Sequence, residues 1–137
     1  MPSSGDHRPS VVSAETRLAY DDLADAVRFL TDVFGLTERI GDRLPDDAGG
    51  FSATWFELGD VTLMAGRSGD HGLVSPKGAG ATAMIMATVA DIGAHYRRAA
   101  AAGAEIVTPI HDVPWGFRRY EALDCEGHRW HFMQRLA

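Results

Sequence analysis

Hydrophobic positions in the first quarter of the chain recur with a helical period. After Asp22, apolar residues stand at i, i+3, i+4, i+7, i+10 and i+11, namely Leu23, Ala26, Val27, Leu30, Val33 and Phe34. This spacing places them on one side of an amphipathic helix. Asp21 or Asp22 can cap its first turn, and Gly35 can end it. The pattern therefore predicts a helix that buries one face.

A second segment repeats this pattern from about Asp91. Its predicted buried face consists of Ile92, His95, Tyr96, Ala99 and Ala102, and Gly103 follows at the end. Because His95 belongs to this face, we expect it to pack or to be solvated rather than to do chemistry. The pattern predicts a second amphipathic helix.

Between and around the helices, shorter runs have the composition of strands. Residues 15–20 and 36–43 are predicted strands, and residues 44–50 form a loop rich in Pro, Asp and Gly. Residues 51–58 and 61–65 flank Gly59-Asp60, which suits a two-residue hairpin turn. Further strands are predicted over 82–89 and 104–108, followed by a loop over 109–116.

The closing stretch, PWGFRRYEALDCEGHRWHFM from Pro114 to Met133, predicts a hairpin. Its turn, 124–127, opens with Asp and ends with Gly, which are typical turn residues. Trp130 and Phe132 alternate with Arg129, His131 and Met133, so the last strand has one apolar and one mixed face. Cys125 is expected to be exposed in the turn, with nothing nearby to activate it.

The order of elements repeats. Asp22 and Asp91 begin the two helices 69 residues apart, and Gly59 and Gly127 lie in the two hairpin turns 68 apart. The sequence therefore predicts an α+β fold of two βαβββ modules, residues 14–66 and 81–135, in a cup-shaped mixed sheet. Residues 67–80 form a glycine-rich connector, and residues 1–13 a disordered tail.

Composition limits the classes of function. The 137 residues suit one domain, and a net charge of −6 argues against a nucleic-acid partner. The single cysteine permits no intrachain disulfide, and no apolar run is long enough to span a membrane. We expect a cytoplasmic protein without a membrane partner. No nucleophile–base pair or phosphate-binding glycine motif is present.

The double βαβββ order, with PWG and D-x-x-G-H-x-W in the closing stretch, resembles the vicinal oxygen chelate superfamily over about residues 14–135. This superfamily includes glyoxalases, extradiol dioxygenases and bleomycin-resistance proteins. The segments AYDDLADAVRFLTDVFGL and PWGFRRYEALDCEGHRWHFM most resemble the bleomycin-resistance branch. The resemblance implies a ligand cavity on the cup face and a two-fold dimer, in which a strand or arm can be exchanged between chains.

The same resemblance implies four metal-ligand positions, which fall at Glu15, Met64, Thr82 and His131. Thioether and hydroxyl groups are poor ligands for the divalent metals that these enzymes use. Only Glu15 and His131 remain plausible, so we expect neither a metal nor another cofactor. The alternative is a metal-dependent lyase, isomerase or dioxygenase that uses Glu15 and His131, with a third ligand from a partner chain or a loop residue such as His111.

Strand alternation predicts that methionine and aromatic side chains line the cup face. The proposed ligand-binding residues are Met64, Met84, Met86, Met133, Trp55, Tyr120, Trp115, Arg17, Arg129 and His131. Thioethers adapt well to aromatic rings, although core filling is the simpler role for a methionine. The leading hypothesis is a protein that sequesters an aromatic natural product of the antibiotic or antitumour type. A pocket that has lost its function is a third alternative.

Overall fold

The computed structural model describes residues 10–137, and most of the predicted tail lies outside this range. The first module comprises β1 (Thr16–Tyr20), α1 (Leu23–Asp32), β2 (Thr37–Glu38), β3 (Leu44–Pro45), β4 (Phe51–Leu58) and β5 (Val61–Arg67). The second comprises β6 (Met84–Thr88), α2 (Ile92–Ala101), β7 (Glu105–Val113), β8 (Phe117–Leu123) and β9 (Arg129–Arg135). Short 3₁₀ helices lie at Ile40–Asp42 and Asp70–Gly72.

Each module forms its own mixed sheet. The first has the strand order β1-β5-β4-β2, with β3 paired to β4, and the second has the order β6-β9-β8-β7. In each sheet the module's first strand runs parallel to its last, and the other pairs are antiparallel. The shared arrangement confirms the predicted α+β fold of two βαβββ units.

Three predicted segments are wrong. The loop predicted over 44–50 begins with the two-residue strand β3, which pairs with β4. The strand predicted over 36–43 shrinks to Thr37–Glu38, because the chain turns into the 3₁₀ helix and Arg43 folds back to bind the Glu38 carboxylate at 2.6 Å. The loop predicted to begin at Pro109 is instead part of β7, which continues to Val113. Proline lacks the N–H that a regular ladder needs, and the β7–β8 register shifts between Thr108 and His111 to accommodate it.

Both helices cover the same side of their sheets. Asp22 and Asp91 accept hydrogen bonds from the backbone N–H of Asp25 and Ala94, as N-caps do. The buried face of α1 comprises Leu23, Ala26, Val27 and Leu30, whereas α2 buries Ile92 and Ala99. Between helices and sheets lies an aromatic core of Tyr20, Phe34, Phe56, Tyr120, Trp130 and Phe132, each at most 2% exposed.

The turn between β8 and β9 joins the second module to the first. Glu126 accepts hydrogen bonds from the backbone N–H of Asp21 at 2.7 Å and of Asp22 at 2.8 Å, at the start of α1. Asp124 accepts one from the Tyr20 hydroxyl at 2.6 Å. These bonds cross from one module to the other, so the turn fixes their relative position.

Cys125 in this turn is half-buried and packs against the core, so its predicted exposure is wrong. Burial, with the Asp124 carboxylate as the next cause, raises the pKa of its thiol to about 12. A thiol with such a pKa is a poor nucleophile, in keeping with the absence of activation predicted from the sequence.

Candidate functional site

The sheet surface opposite the helices, which we term the open face, is lined by methionine in the second module. The parallel β6–β9 register pairs Met84 with Arg129, Met86 with His131, and Thr88 with Met133. Because side chains alternate along a strand, these residues share one face, while Trp130 and Phe132 point into the core. Met84 and Met86 are 37% and 59% exposed, so their thioethers are available for contact.

In the first module, the open face is centred on Met64. The strand registers place Met64 between Arg17 on β1 and Trp55 on β4. The Arg17 guanidinium contacts the Met64 sulfur, with Nη1 3.4 Å from Sδ. It also lies over Gly66, where a Cβ would overlap it. A glycine at this position thus lets the arginine lie flat across the sheet.

His131 is the least exposed polar group on the open face. It is 9% exposed, and neither ring nitrogen has a hydrogen-bond partner among the described residues. Burial lowers its pKa, the charges of Arg119 and His111 lower it further, and Glu121 opposes them. The lowered pKa favours the uncharged imidazole, whose two ring nitrogens are enclosed by protein and have no partner within residues 10–137.

Two residues near His131, Glu121 and Arg119, were not predicted from the sequence to belong to the site. Glu121 lies opposite His131 on β8 and forms an ion pair with Arg119. Arg129 approaches the same carboxylate, at 3.6 Å. The open face of the second module thus combines methionines with the Glu121 carboxylate, which is paired with Arg119 and Arg129.

Tyr120 does not belong to this face, and its predicted place in the cup is wrong. It is fully buried on the helix-covered side, where its hydroxyl lies 2.6 Å from Nδ1 of His95. The other nitrogen of His95, Nε2, lies 2.8 Å from the Phe34 carbonyl oxygen. Both ring nitrogens are therefore partnered, and burial lowers the pKa of His95. This confirms the packing role expected for His95.

Trp115 lies at the tip of the β7–β8 hairpin. The bend is closed by a hydrogen bond from the Gly116 N–H to the Val113 carbonyl, and Gly116 has a φ of 90°. Few residues other than glycine adopt this conformation. The Trp115 indole is 70% exposed, which is unusual for so large an apolar group and makes it available to a ligand.

The four metal-ligand positions implied by the resemblance do not form a donor set. The Glu15 carboxylate is engaged by the Thr62 hydroxyl and by Trp55 Nε1, and Met64 by Arg17. Thr82 lies before β6 and lines a separate cavity of about 300 Å³ beside β1. Within residues 10–137, no group of three or more His, Cys, Asp or Glu side chains is close enough to hold a metal ion.

A larger cavity, about 590 Å³ in volume, lies between the two modules. The first module contributes residues of β1, the β4–β5 turn and the segment after α1, and the second contributes β6, His95 and Phe132. Met86 and Thr88 of the open face stand at this cavity, which we term the seam cleft. The open face therefore continues into a deeper space.

No helix in the described part of the chain is long and apolar enough to cross a membrane.

Paired βαβββ modules that leave one sheet face open define a cup-shaped class of small-molecule-binding fold. A model of the glyoxalase, bleomycin resistance protein and dioxygenase superfamily matches residues 12–132. The chain belongs to this superfamily.

The chain is also similar to individual proteins over most of its length. TioX from Micromonospora sp. ML1 superposes with a TM-score of 0.72 and 34% identity, over 91% of this chain and 97% of TioX. A glyoxalase/bleomycin resistance protein/dioxygenase from Nocardioides gives 0.70 and 23% over 97% and 87%. An uncharacterised protein of Mycobacterium bovis is 30% identical over 118 residues, covering 82% of this chain and 76% of the relative.

Proposed function

We propose that the protein is a metal-free binding protein that sequesters a flat aromatic natural product of the antibiotic or antitumour type. The observation that carries this proposal is the open face itself. In the first module it holds Met64 beside Trp55, and in the second module it holds the thioethers of Met84, Met86 and Met133. Sulfur contacts to aromatic rings are favourable by about 0.3–1.5 kcal/mol each, and methionine adapts its shape to the ring.

The polar groups of the site suit orientation of a ligand rather than catalysis. The ring nitrogens of His131 are buried without a partner in the part of the chain that the structure describes, and the Arg129 side chain is partly exposed beside this residue. A few polar groups in an apolar site fix the orientation of a bound molecule. We infer that the ligand carries a hydrogen-bonding substituent that meets Arg129, with Arg17 and His131 as further polar groups that line the site.

Similarity to known proteins supports the proposed binding function at the level of the family. The superfamily's description includes bleomycin resistance proteins, and TioX shares 34% identity across most of both chains. Resistance by capture needs one binding site per drug molecule and no turnover. The net charge of −6 would favour a neutral or cationic drug over an anionic one.

Metal removal tests this proposal. The purified protein should contain substoichiometric zinc, iron, nickel and manganese after dialysis, because Met64 and Thr82 replace two of four ligands. A fluorescence-quench titration with a panel of aromatic antibiotics should give the same affinities before and after EDTA treatment. About one metal per chain, together with binding lost in EDTA, would instead favour a metal-dependent enzyme.

That enzyme is the second candidate function, and His131 is the observation in its favour. A neutral imidazole with an unpartnered nitrogen is suited to bind a metal. In this case the Glu15 carboxylate would have to give up its hydrogen bonds with Thr62 and Trp55. A partner chain or His111 would supply a third ligand. A lyase, isomerase or dioxygenase activity that requires the metal would establish this alternative.

We further propose that the functional unit is a two-fold homodimer. A second chain would cover the exposed methionines and close the open face into a site. Light scattering should give about twice the 14.8 kDa mass of one chain at micromolar concentration. A monomer mass under these conditions would contradict the dimer without excluding ligand capture.

A further inference from the structure

The seam cleft has a chemistry different from that of the open face. Its inner wall is made of apolar side chains that belong to the core or pack against it: Phe34, Leu36, Leu63, Ile85, Ala87 and Phe132. Strand alternation places Leu63, Ile85 and Ala87 on the helix-covered side, whereas Thr62, Met86 and Thr88 lie on the open face. The cleft therefore leads from the open face towards the helix layer.

Within residues 10–137, the polar side chain at the core end of the cleft is His95, which has no nitrogen left for a ligand. The Tyr120 hydroxyl and the Phe34 carbonyl already occupy its two ring nitrogens. A polar or charged group that entered would lose its water without gaining a hydrogen bond, which is costly. At the cleft, the Glu57 carboxylate, which pairs with Arg39 at 3.1 Å, would also repel an anion.

The volume of the cleft suits part of a drug-sized molecule. Ligand pockets are commonly about 300–1,000 Å³, and an apolar cavity of about 150 Å³ can hold benzene. At about 590 Å³, the cleft has room for an arm of one or two rings. The ring system on the open face and an arm in the cleft can belong to one molecule, because Met86 and Thr62 are common to both surfaces.

We propose that the seam cleft is a second subsite, which takes an uncharged apolar arm, an aryl or branched alkyl group, of the ligand whose flat ring lies on the open face. This inference rests on the proposed function and adds to it a requirement on ligand shape. Capture then selects two-part molecules over flat rings alone.

A pair of neutral fluorescent probes tests the subsite. N-phenyl-1-naphthylamine has a phenyl arm, and 1-naphthylamine is the same ring system without it. The wild-type protein should bind N-phenyl-1-naphthylamine more tightly by about tenfold or more, because the cleft buries the apolar surface of the phenyl arm. Ala87→Leu, which adds bulk inside the cleft, should remove most of this advantage and change 1-naphthylamine binding by less than about twofold.

A second substitution keeps the test valid if Ala87→Leu does not fold. Val61 is 58% exposed at the cleft, so Val61→Phe should obstruct it without disturbing the core. Ile40→Phe, at a 65% exposed position in the 3₁₀ helix Ile40–Asp42 and outside the lining of the cleft, is the matched control and should leave both affinities unchanged. Loss of the phenyl advantage in the Val61 variant alone supports the subsite.

The remaining outcomes separate the subsite from the function on which it rests. Equal wild-type affinities for the two probes, or equal weakening of both in the cleft variants, would overturn the subsite and leave capture on the open face standing. Failure of both probes to bind would overturn the subsite and count against the proposed function as well. A Kd for N-phenyl-1-naphthylamine that rises with protein concentration would show that a second copy fills the cleft, and would also overturn it.

Discussion

Asp124→Ala should lower the free energy of unfolding by about 3–5 kcal/mol, because it leaves buried donors without an acceptor. Asp124 is 6% exposed. Its carboxylate accepts hydrogen bonds from the Tyr20 hydroxyl at 2.6 Å, Trp130 Nε1 at 3.1 Å, and the N–H groups of Glu126 at 3.1 Å and His128 at 3.0 Å. Burial, with this carboxylate as the next cause, raises the pKa of Tyr20 and keeps its hydroxyl a donor.

The loss should be visible in urea denaturation and is a large share of the 5–15 kcal/mol typical of a domain. Asp124→Asn, which keeps one acceptor oxygen, should fall between wild type and alanine. Asp112→Ala is the matched control: this carboxylate pairs with Arg118 at the surface, where an ion pair adds little stability. If Asp124→Ala were no more destabilising than Asp112→Ala, the turn would not hold the modules together.

The elements that the sequence predicts well are those with a strong local signal. The apolar period of α1, its Asp22 cap and Gly35, with a φ of 74°, all act within a few residues of one another. The secondary structure of residues 36–43 could not be predicted from such local signals. Glu38 there pairs with Arg43 of the same segment and accepts a hydrogen bond from Thr54 at 2.7 Å, and the contact with Thr54 exists only after the sheet has formed. Tertiary contacts, not propensity, decide that segment.

The face of Tyr120 was predictable, although the prediction was wrong. The four-residue turn 124–127 is closed by a hydrogen bond between Asp124 and His128, which sets Tyr120 opposite Phe132 and Glu121 opposite His131. Once Phe132 is placed in the core, Tyr120 must follow it. An aromatic side chain suggested a ligand contact, but the hairpin register outweighs that suggestion. The seam cleft had no such signal, because it depends on how the modules pack together.

Trp115→Ala is expected to weaken ligand binding by about 2–3 kcal/mol, near a hundredfold in Kd. The indole is 70% exposed at a bend fixed by Pro114 and Gly116, so stacking on a ligand costs it little conformational entropy. Such an aromatic pair contributes about 0.5–1.5 kcal/mol beyond area burial. The apolar surface covered by the ligand adds about 25 cal/mol per Å². Fluorescence quenching or calorimetry, with the aromatic compound that binds wild type best, measures the change.

The fold should survive this substitution, because an exposed hairpin residue contributes little to the core; unchanged urea denaturation checks this. His131→Ala is the comparison that decides between the two functions. In a capture protein His131 only lines the site, so its loss should weaken binding much less than the loss of Trp115. In a metalloenzyme the order reverses: His131→Ala abolishes an activity, and Trp115→Ala leaves it nearly intact. His131 is almost buried on the open face, whereas Trp115 is 70% exposed at the tip of the β7–β8 hairpin. Their relative effects therefore report which of these two positions the ligand or substrate depends on.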